Sequence, residues 1–368
     1  MKKILCIAMC LFATGVIFTS CSKSSEKSSA SAAVATTAQP VKEKKFKIAV
    51  SNAYMGNDWR QLMIKSLKVA ASKEPYRDQV DLKIVNSENS AEAQSSAIDA
   101  MIEQGYDAIL IDASSSTALI PAIKRALASG ITVVTFDSVV HTDGVYTVQT
   151  DFVSMVQAWA KYLCTKCGEG AKIAVDTGMP GSTNGNTIYE AAMKVFDEYN
   201  MKVVAEYASQ YADGICQEQL SSVLAANPDL DGIFCQAYTE SCYSALTQAG
   251  MKLIPCATFD TNLGMVTAEK NNMDVIIGNN GPGIGVIAMD IALRVLKGET
   301  VEKDTYLSAG LFVNEKDKDI DVGMPTQVIK EGVNCWKDKA DGLDWPLFPS
   351  TFSKVQISAD DISDFNAN

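Results

Sequence analysis

Histidine is all but missing: His141 is the only one in 368 residues. Any Ser-His-Asp or imidazole–metal scheme would hang on a residue sitting in the turn "VVHTDG", so such catalysis has almost nothing to stand on. Positive charge is short as well. The 32 Lys and Arg against 44 Asp and Glu leave a formal charge of −12, which argues against nucleic acid, because that partner needs a basic face for counterion release. A polybasic membrane surface is disfavoured on the same ground. The glycines of "GPGIG" (residues 281–285) do not fit a dinucleotide fingerprint. Cys164 and Cys167 lack a second ligand pair at zinc spacing. "DKDIDVG" (317–323) has alternating Asp, yet its Gly is displaced and Val328 stands where a calcium loop needs Glu. No metal and no cofactor are expected, and the chain reads as a binder rather than an enzyme.

What is present begins with a processing signal. Lys2 and Lys3 precede an apolar run over residues 4–18, then Thr19, Ser20 and Cys21. A charged start, a short apolar core and small residues before a cut site describe an export signal over 1–20, too short for a comfortable membrane span. Cys21 directly after the small residues resembles a bacterial lipobox, with Cys21 as the acylated first residue of the mature chain. Residues 21–45, rich in Ser, Ala, Thr and Lys, read as a flexible tether with a coil span of roughly 25–30 Å. Of the ten cysteines, seven lie beyond this region, mostly inside apolar runs such as "GIFCQ" and "IPCATF". Small buried hydrophobes are the expected role; a Cys164–Cys167 disulfide stays open.

The remaining chain, with 47% apolar residues overall, is long enough for two domains. Apolar, β-branched runs at 46–50, 80–85, 108–111 and 131–136 alternate with amphipathic stretches at 59–71, 91–104 and 117–128. That alternation predicts a parallel, helix-flanked sheet. It then recurs. "KIAV" at 47–50 returns at 172–175, "YDAILID" is echoed by "LDGIFCQ", and "VVTFD" ending at Asp137 by "PCATFD" ending at Asp260. Asp107 follows Lys47 by 60 positions and Asp231 follows Lys172 by 59. The predicted fold is α/β, with two similar lobes carrying parallel sheets.

Ligands of open α/β sheets bind beyond the carboxyl ends of the strands, and the polar residues there can be read directly. They are Tyr54, Asn57, Trp59 and Arg60 after the first strand, then Asp137 and Asp260 after the repeated ones. Thr150 and Asp151 stand at the expected crossing between lobes. Asn184 and Asn186, Tyr211, Tyr238, and Asn279 with Asn280 follow later strands. Carboxylates and amides give two-point hydrogen bonding to adjacent hydroxyls, and rings cover the C–H face of a cyclic ligand. A sugar or polyol fits this inventory best. Arg60 is expected to bridge surface carboxylates instead.

The segments "KIAVSNAYMGNDW", "ITVVTFDS", "QTDF", "GEGAKIAV", "ATFDT" and "ALRVLKGE" resemble, in order, the periplasmic sugar-binding proteins of ABC transporters, of the ribose- and galactose-binding type. The resemblance covers about residues 46–313. It implies a type I periplasmic binding protein: two Rossmann-like lobes joined by a multi-segment hinge, a ligand held between them, and delivery to a membrane permease and its ATPase. One lobe would comprise residues 46–149 plus 280–308 and the other 150–279 plus 309–313, with 314–368 an extension packed on a lobe or the hinge. The family's first-strand aromatic and Asn fall near Tyr54, Asn57 and Trp59, and its hydroxyl-binding aspartates on Asp137 and Asp260. The hinge-side polar group falls on Thr150 or Asp151, and the late amide on Asn279. Two arginines of the pentose binders are replaced, by Ser138 and by Asn186, which leaves the identity of the sugar open. A monomeric lipoprotein at the periplasm or cell surface is expected; a sensor feeding a chemoreceptor or histidine kinase, and a nucleoside-binding lipoprotein, are the alternatives.

Overall fold

A computed structural model describes residues 45–335 and 337. The export signal, Cys21, the tether up to residue 44 and most of the C-terminal extension lie outside the described residues. β1 (Phe46–Asn52), α1 (Asp58–Ala71), β2 (Val80–Asn86), α2 (Ala91–Glu103), β3 (Ala108–Asp112), α3 (Ile120–Ala128), β4 (Thr132–Phe136) and β5 (Tyr146–Thr150) form the first run. After α4 (Phe152–Cys167) the alternation restarts. It runs through β6 (Lys172–Asp176), α5 (Thr183–Glu198), β7 (Lys202–Tyr207), α6 (Asp213–Ala226), β8 (Gly232–Tyr238), α7 (Thr239–Gln248), β9 (Cys256–Phe259), α8 (Asn262–Lys270) and β10 (Val275–Gly278). α9 (Ile284–Leu296), β11 (Asp304–Leu307), β12 (Leu311–Val313) and the short β13 (Gln327–Val328) follow.

These strands make two sheets, one per lobe. The first has the order β11-β5-β4-β3-β1-β2, with every neighbouring pair parallel. The second has the order β13-β12-β10-β9-β8-β6-β7 and is parallel except where β12 runs against β10. β12 is reversed because the chain enters it directly from β11 of the other sheet. The chain passes between sheets three times: after β5, after β10 and after β11.

Each sheet is covered on both faces, which is why its strands read as unbroken apolar runs. Met63, Leu67 and Ile287 from α1 and α9 pack on Val50, Leu110 and Val134. Ile98 and Ile123 from α2 and α3 pack on Ile109 and Val133 on the opposite face. In the second lobe, Trp159 and Phe196 from α4 and α5 meet Val175 and Phe234, while Leu220, Leu246 and Met265 from α6, α7 and α8 cover Ile233 and Ile277.

The sequence repeat has a physical counterpart. Lys47 donates its backbone N–H to Asp107 Oδ2 at 2.7 Å, and Lys172 does the same to Asp231 Oδ2 at 2.9 Å. The 60- and 59-residue spacings of those contacts are the spacings read from the repeat. The described part of the C-terminal extension sits on the second lobe. Asp317 accepts from the Tyr162 hydroxyl at 2.7 Å and from Lys166 at 2.8 Å, and β13 lengthens the sheet edge at β12. Cys164 and Cys167 are both free thiols, Cys167 donating instead to the Asp231 carbonyl at 3.3 Å. Among the described residues no helix is long and apolar enough to cross a membrane.

Candidate functional site

A cavity of about 160 Å³ lies at the carboxyl ends of the strands, lined from both lobes. That is room for on the order of ten water-sized atoms, the scale of one monosaccharide. The first lobe contributes Tyr54, Asn57, Trp59 and Arg60 after β1, Asn89 after β2, Ser114 after β3 and Asp137 after β4. The second contributes Asn184 from α5, Tyr211 after β7, Gln236 and Tyr238 from β8, Phe259 at the end of β9 and Asp260 after it. Phe152 at the start of α4 and Asn280 at a crossing also line the cavity.

Arg60 corrects the surface-bridge expectation. It is buried, and its guanidinium pairs with Asp112 at the end of β3 and lies 3.5 Å from Asp137 Oδ2. Nη1 also donates to Asn52 Oδ1 at 3.2 Å. The guanidinium is flanked by the rings of Tyr54 and Trp59, 5.3 and 5.4 Å from their centroids. Burial pushes its pKa down while Asp137 pulls it up, and a guanidinium is not deprotonated in proteins. The position follows from the helix start. Asn57 caps α1, its Oδ1 accepting from Arg60 N at 2.9 Å, and this turns the first helical turn toward the sheet end. Asp112 is a carboxylate ending a fully buried strand, so it requires a cation, and among the described residues Arg60 pairs with it.

Asn280 ties the first lobe to the crossings. Its Nδ2 donates to Asp137 Oδ1 at 3.1 Å, its Oδ1 accepts from Thr150 Oγ1 at 2.6 Å, and its main-chain oxygen accepts from Trp59 Nε1 at 2.6 Å. Asn279 turns the other way, donating to Asp260 Oδ2 at 2.6 Å. Burial pushes the Asp260 carboxyl up to about 7, against the lowering effect of that amide.

The second-lobe wall rests on Asp176, which ends β6. Its Oδ1 accepts from Gly178 N and Ser209 N, and its Oδ2 from Gln236 N. The Gln236 amide group donates back to the Asp176 carbonyl at 3.0 Å, leaving Oε1 with no hydrogen bond to a protein group. Burial pushes the Tyr211 phenol well above its usual pKa, so it remains a neutral donor. Phe152 and Phe259 meet edge to face at 6.2 Å. Three cavity residues, Asn89, Asp137 and Tyr211, hold left-handed backbone with φ of 58°, 55° and 55°. Such conformations cost about 1–3 kcal/mol each and gather where geometry serves a site.

Of the residues named from sequence, Tyr54, Asn57, Trp59, Asp137, Asn184, Tyr211, Tyr238 and Asp260 line the cavity together. Thr150, Asp151, Asn186 and Asn279 do not. Thr150 and Asn279 stand one layer back, orienting Asn280 and Asp260. Asp151 caps α4, accepting from Ser154 N at 3.1 Å. Asn186 is exposed: two residues along a helix is a rotation of about 200°, so Asn184 and Asn186 cannot share a face. Sequence reasoning named Arg60 and Asn280 among the strand-end polar residues without assigning either to the ligand, and it missed Gln236, Phe152 and Phe259 as cavity groups. The repeat carried a signal for one of them, since it aligns Gln236 with Asp112, both polar ends of apolar strands.

The family described as periplasmic binding protein domain matches residues 48–300. The ribose import binding protein of Bacillus subtilis is 26% identical over 265 residues, covering 71% of this chain and 85% of that one. The crystal structure of an ABC transporter solute binding protein from Thermobispora bispora is similar with a TM-score of 0.69 at 28% identity, covering 75% of this chain and 87% of that one. An ABC transporter periplasmic solute binding protein from Actinobacillus succinogenes, solved with bound D-allose, is similar with a TM-score of 0.65 at 23% identity over 75% of this chain and 100% of that one, and shows the shared fold. The matched segment runs from β1 through α9 and holds every cavity-lining residue, and the chain belongs to the periplasmic binding protein family in its two-lobed, type I form.

Proposed function

We propose that this protein is an exported solute-binding lipoprotein that captures a sugar or polyol between its lobes and presents the closed form to an ABC permease and its ATPase. The observation that carries the reading is the composition of the shared cavity. Asp137 and Asp260, one from each lobe, face the same space as Tyr54, Trp59, Tyr211 and Phe259. Carboxylates and amides match paired hydroxyls, and the rings match the apolar face of a pyranose or furanose. Arg60 supplies a guanidinium from α1 where Ser138 and Asn186 supply none. The name of the Bacillus relative, a ribose import binding protein, points to the same ligand class.

Ligand contacts are assigned to the eight cavity-lining residues named from sequence, joined by Arg60, Asn280 and Gln236. The protein acts as a monomer, binds one ligand without turning it over, and is anchored through an acylated Cys21. Native mass spectrometry of the purified protein, followed by tryptophan-fluorescence titration with pentoses, hexoses, polyols and nucleosides, tests the reading. One sugar or polyol bound in unit stoichiometry and recovered unchanged is expected. A nucleoside, a chemically altered sugar, or silence across the panel sinks it. Cys21→Ser should move the protein from the detergent to the aqueous phase on partition.

A further inference from the structure

Outside the ligand cavity, the second lobe hides a group of four thiols. Cys216 on α6, Cys235 on β8, Cys242 on α7 and Cys256 on β9 share one apolar cluster and are fully buried. The sulfurs of Cys216 and Cys235 are 3.5 Å apart. Among the described residues no group of three or more thiols, imidazoles or carboxylates is arranged to hold a metal ion, so the cluster calls for another account.

We propose that Cys216 and Cys235 form a disulfide while the second lobe folds outside the cytoplasm, tying α6 to β8 beneath the cavity. A disulfide needs sulfurs about 2.05 Å apart, and the fold already brings the Cys216 and Cys235 sulfurs into contact at 3.5 Å. Export exposes the chain to an oxidising compartment. Timing follows from burial, since neither Cys216 nor Cys235 is exposed to solvent in the folded lobe. A thiol that no oxidant can reach does not exchange, so the oxidant acts on the chain before the lobe closes. The oxidant is a disulfide, either a low-molecular-weight one or that of a thiol–disulfide oxidoreductase. The Cys235 thiolate attacks one of its sulfurs and expels a thiolate, and the Cys216 thiolate then attacks the mixed disulfide and expels the second. Two protein thiols are oxidised and the disulfide is reduced to two thiols, which take up the two protons. The consequence reaches the site, because Gln236 follows Cys235 directly and its backbone N–H is held by Asp176.

The test compares two samples of the mature chain in the same mixture of oxidised and reduced glutathione. One is refolded from the reduced, denatured state; the other is added already folded and reduced. Non-reducing peptide mapping of the refolded sample should show a Cys216–Cys235 link. The mass should fall by two hydrogens, and the melting temperature should rise by roughly several degrees, all reversed by a reductant under denaturing conditions. The folded sample should stay reduced. Alkylation of all seven described thiols after refolding, glutathione adducts, or a Cys235–Cys242 link would each overturn the assignment. Equal cross-linking of the folded sample would overturn the proposed timing.

Discussion

The side-chain amide of Asn280 donates to Asp137 Oδ1 at 3.1 Å while its own oxygen accepts from Thr150 at 2.6 Å. One amide thereby joins two of the interlobe crossings to a carboxylate that faces the cavity. Any movement of the lobes that shifts the segment after β10 must also shift Asp137's partner. On the proposed closure mechanism, Asn280 is the residue that couples lobe movement to ligand recognition.

Asn280→Ala removes that brace and leaves the Thr150 hydroxyl and Asp137 each short of a partner. Loss of such contacts costs about 1–2 kcal/mol, so sugar affinity should fall on the order of tenfold by isothermal titration, with unchanged circular dichroism. Asn280→Asp should bind more weakly still, because a second carboxylate would face Asp137.

Trp59 does two things at once. Its ring flanks the Arg60 guanidinium, and its Nε1 donates to the Asn280 main-chain oxygen at 2.6 Å. Trp59→Phe keeps a ring and loses the donor, which should weaken binding by about 0.5–1.5 kcal/mol. Trp59→Ala should lose about 0.5–1.5 kcal/mol more, from the aromatic face. If Trp59→Ala binds as tightly as Trp59→Phe, the ring does not cover the ligand. Three tryptophans remain in these variants and fluorescence no longer reports on position 59, so calorimetry decides.

The repeat made the strands and both strand-end aspartates legible, because Asp107 and Asp231 hold the starts of β1 and β6 by the same bond and so fix the spacing. Side-chain direction beyond a strand end has no such constraint. Asn279 and Asn280 are chemically alike and face opposite ways, and only the three-dimensional path of the crossing separates them. Arg60 was hidden for a different reason. Composition counts charges without pairing them, and the sign to read was Asp112 closing a strand whose residues are all buried. Phe152 and Phe259 stood inside "QTDF" and "ATFDT", next to the polar residues that drew attention.

Asp260 gives two pH dependences of opposite sign. Burial raises its carboxyl from 3.8 to about 7, so the folded, ligand-free protein holds a proton that the unfolded chain releases. Its contribution to stability is therefore greatest below about pH 4 and is lost as pH rises toward 7. A ligand hydroxyl donating to Asp260 needs the ionised form, so affinity should climb with pH and level off above 7, by at most about tenfold per unit. Thermal melts and titrations between pH 4 and 8 measure both slopes. Asp260→Asn should flatten them together; a variant that keeps the affinity slope would place the titrating group elsewhere.

Arg60 and Asp112 form a buried pair, and removing one partner differs sharply from removing both. Arg60→Met leaves the Asp112 carboxylate fully buried with no cation. Stranding a buried charge costs about 3–5 kcal/mol, enough to lower the melting temperature markedly. Adding Asp112→Asn removes the stranded charge and should restore most of the stability. Affinity should not return with it, since the restored fold still lacks the guanidinium 3.5 Å from Asp137 Oδ2. Melting curves and calorimetry on the single and double variants separate the two roles. Recovery of stability without recovery of binding identifies Arg60 as a ligand contact, whereas recovery of both reduces it to a counter-ion for Asp112.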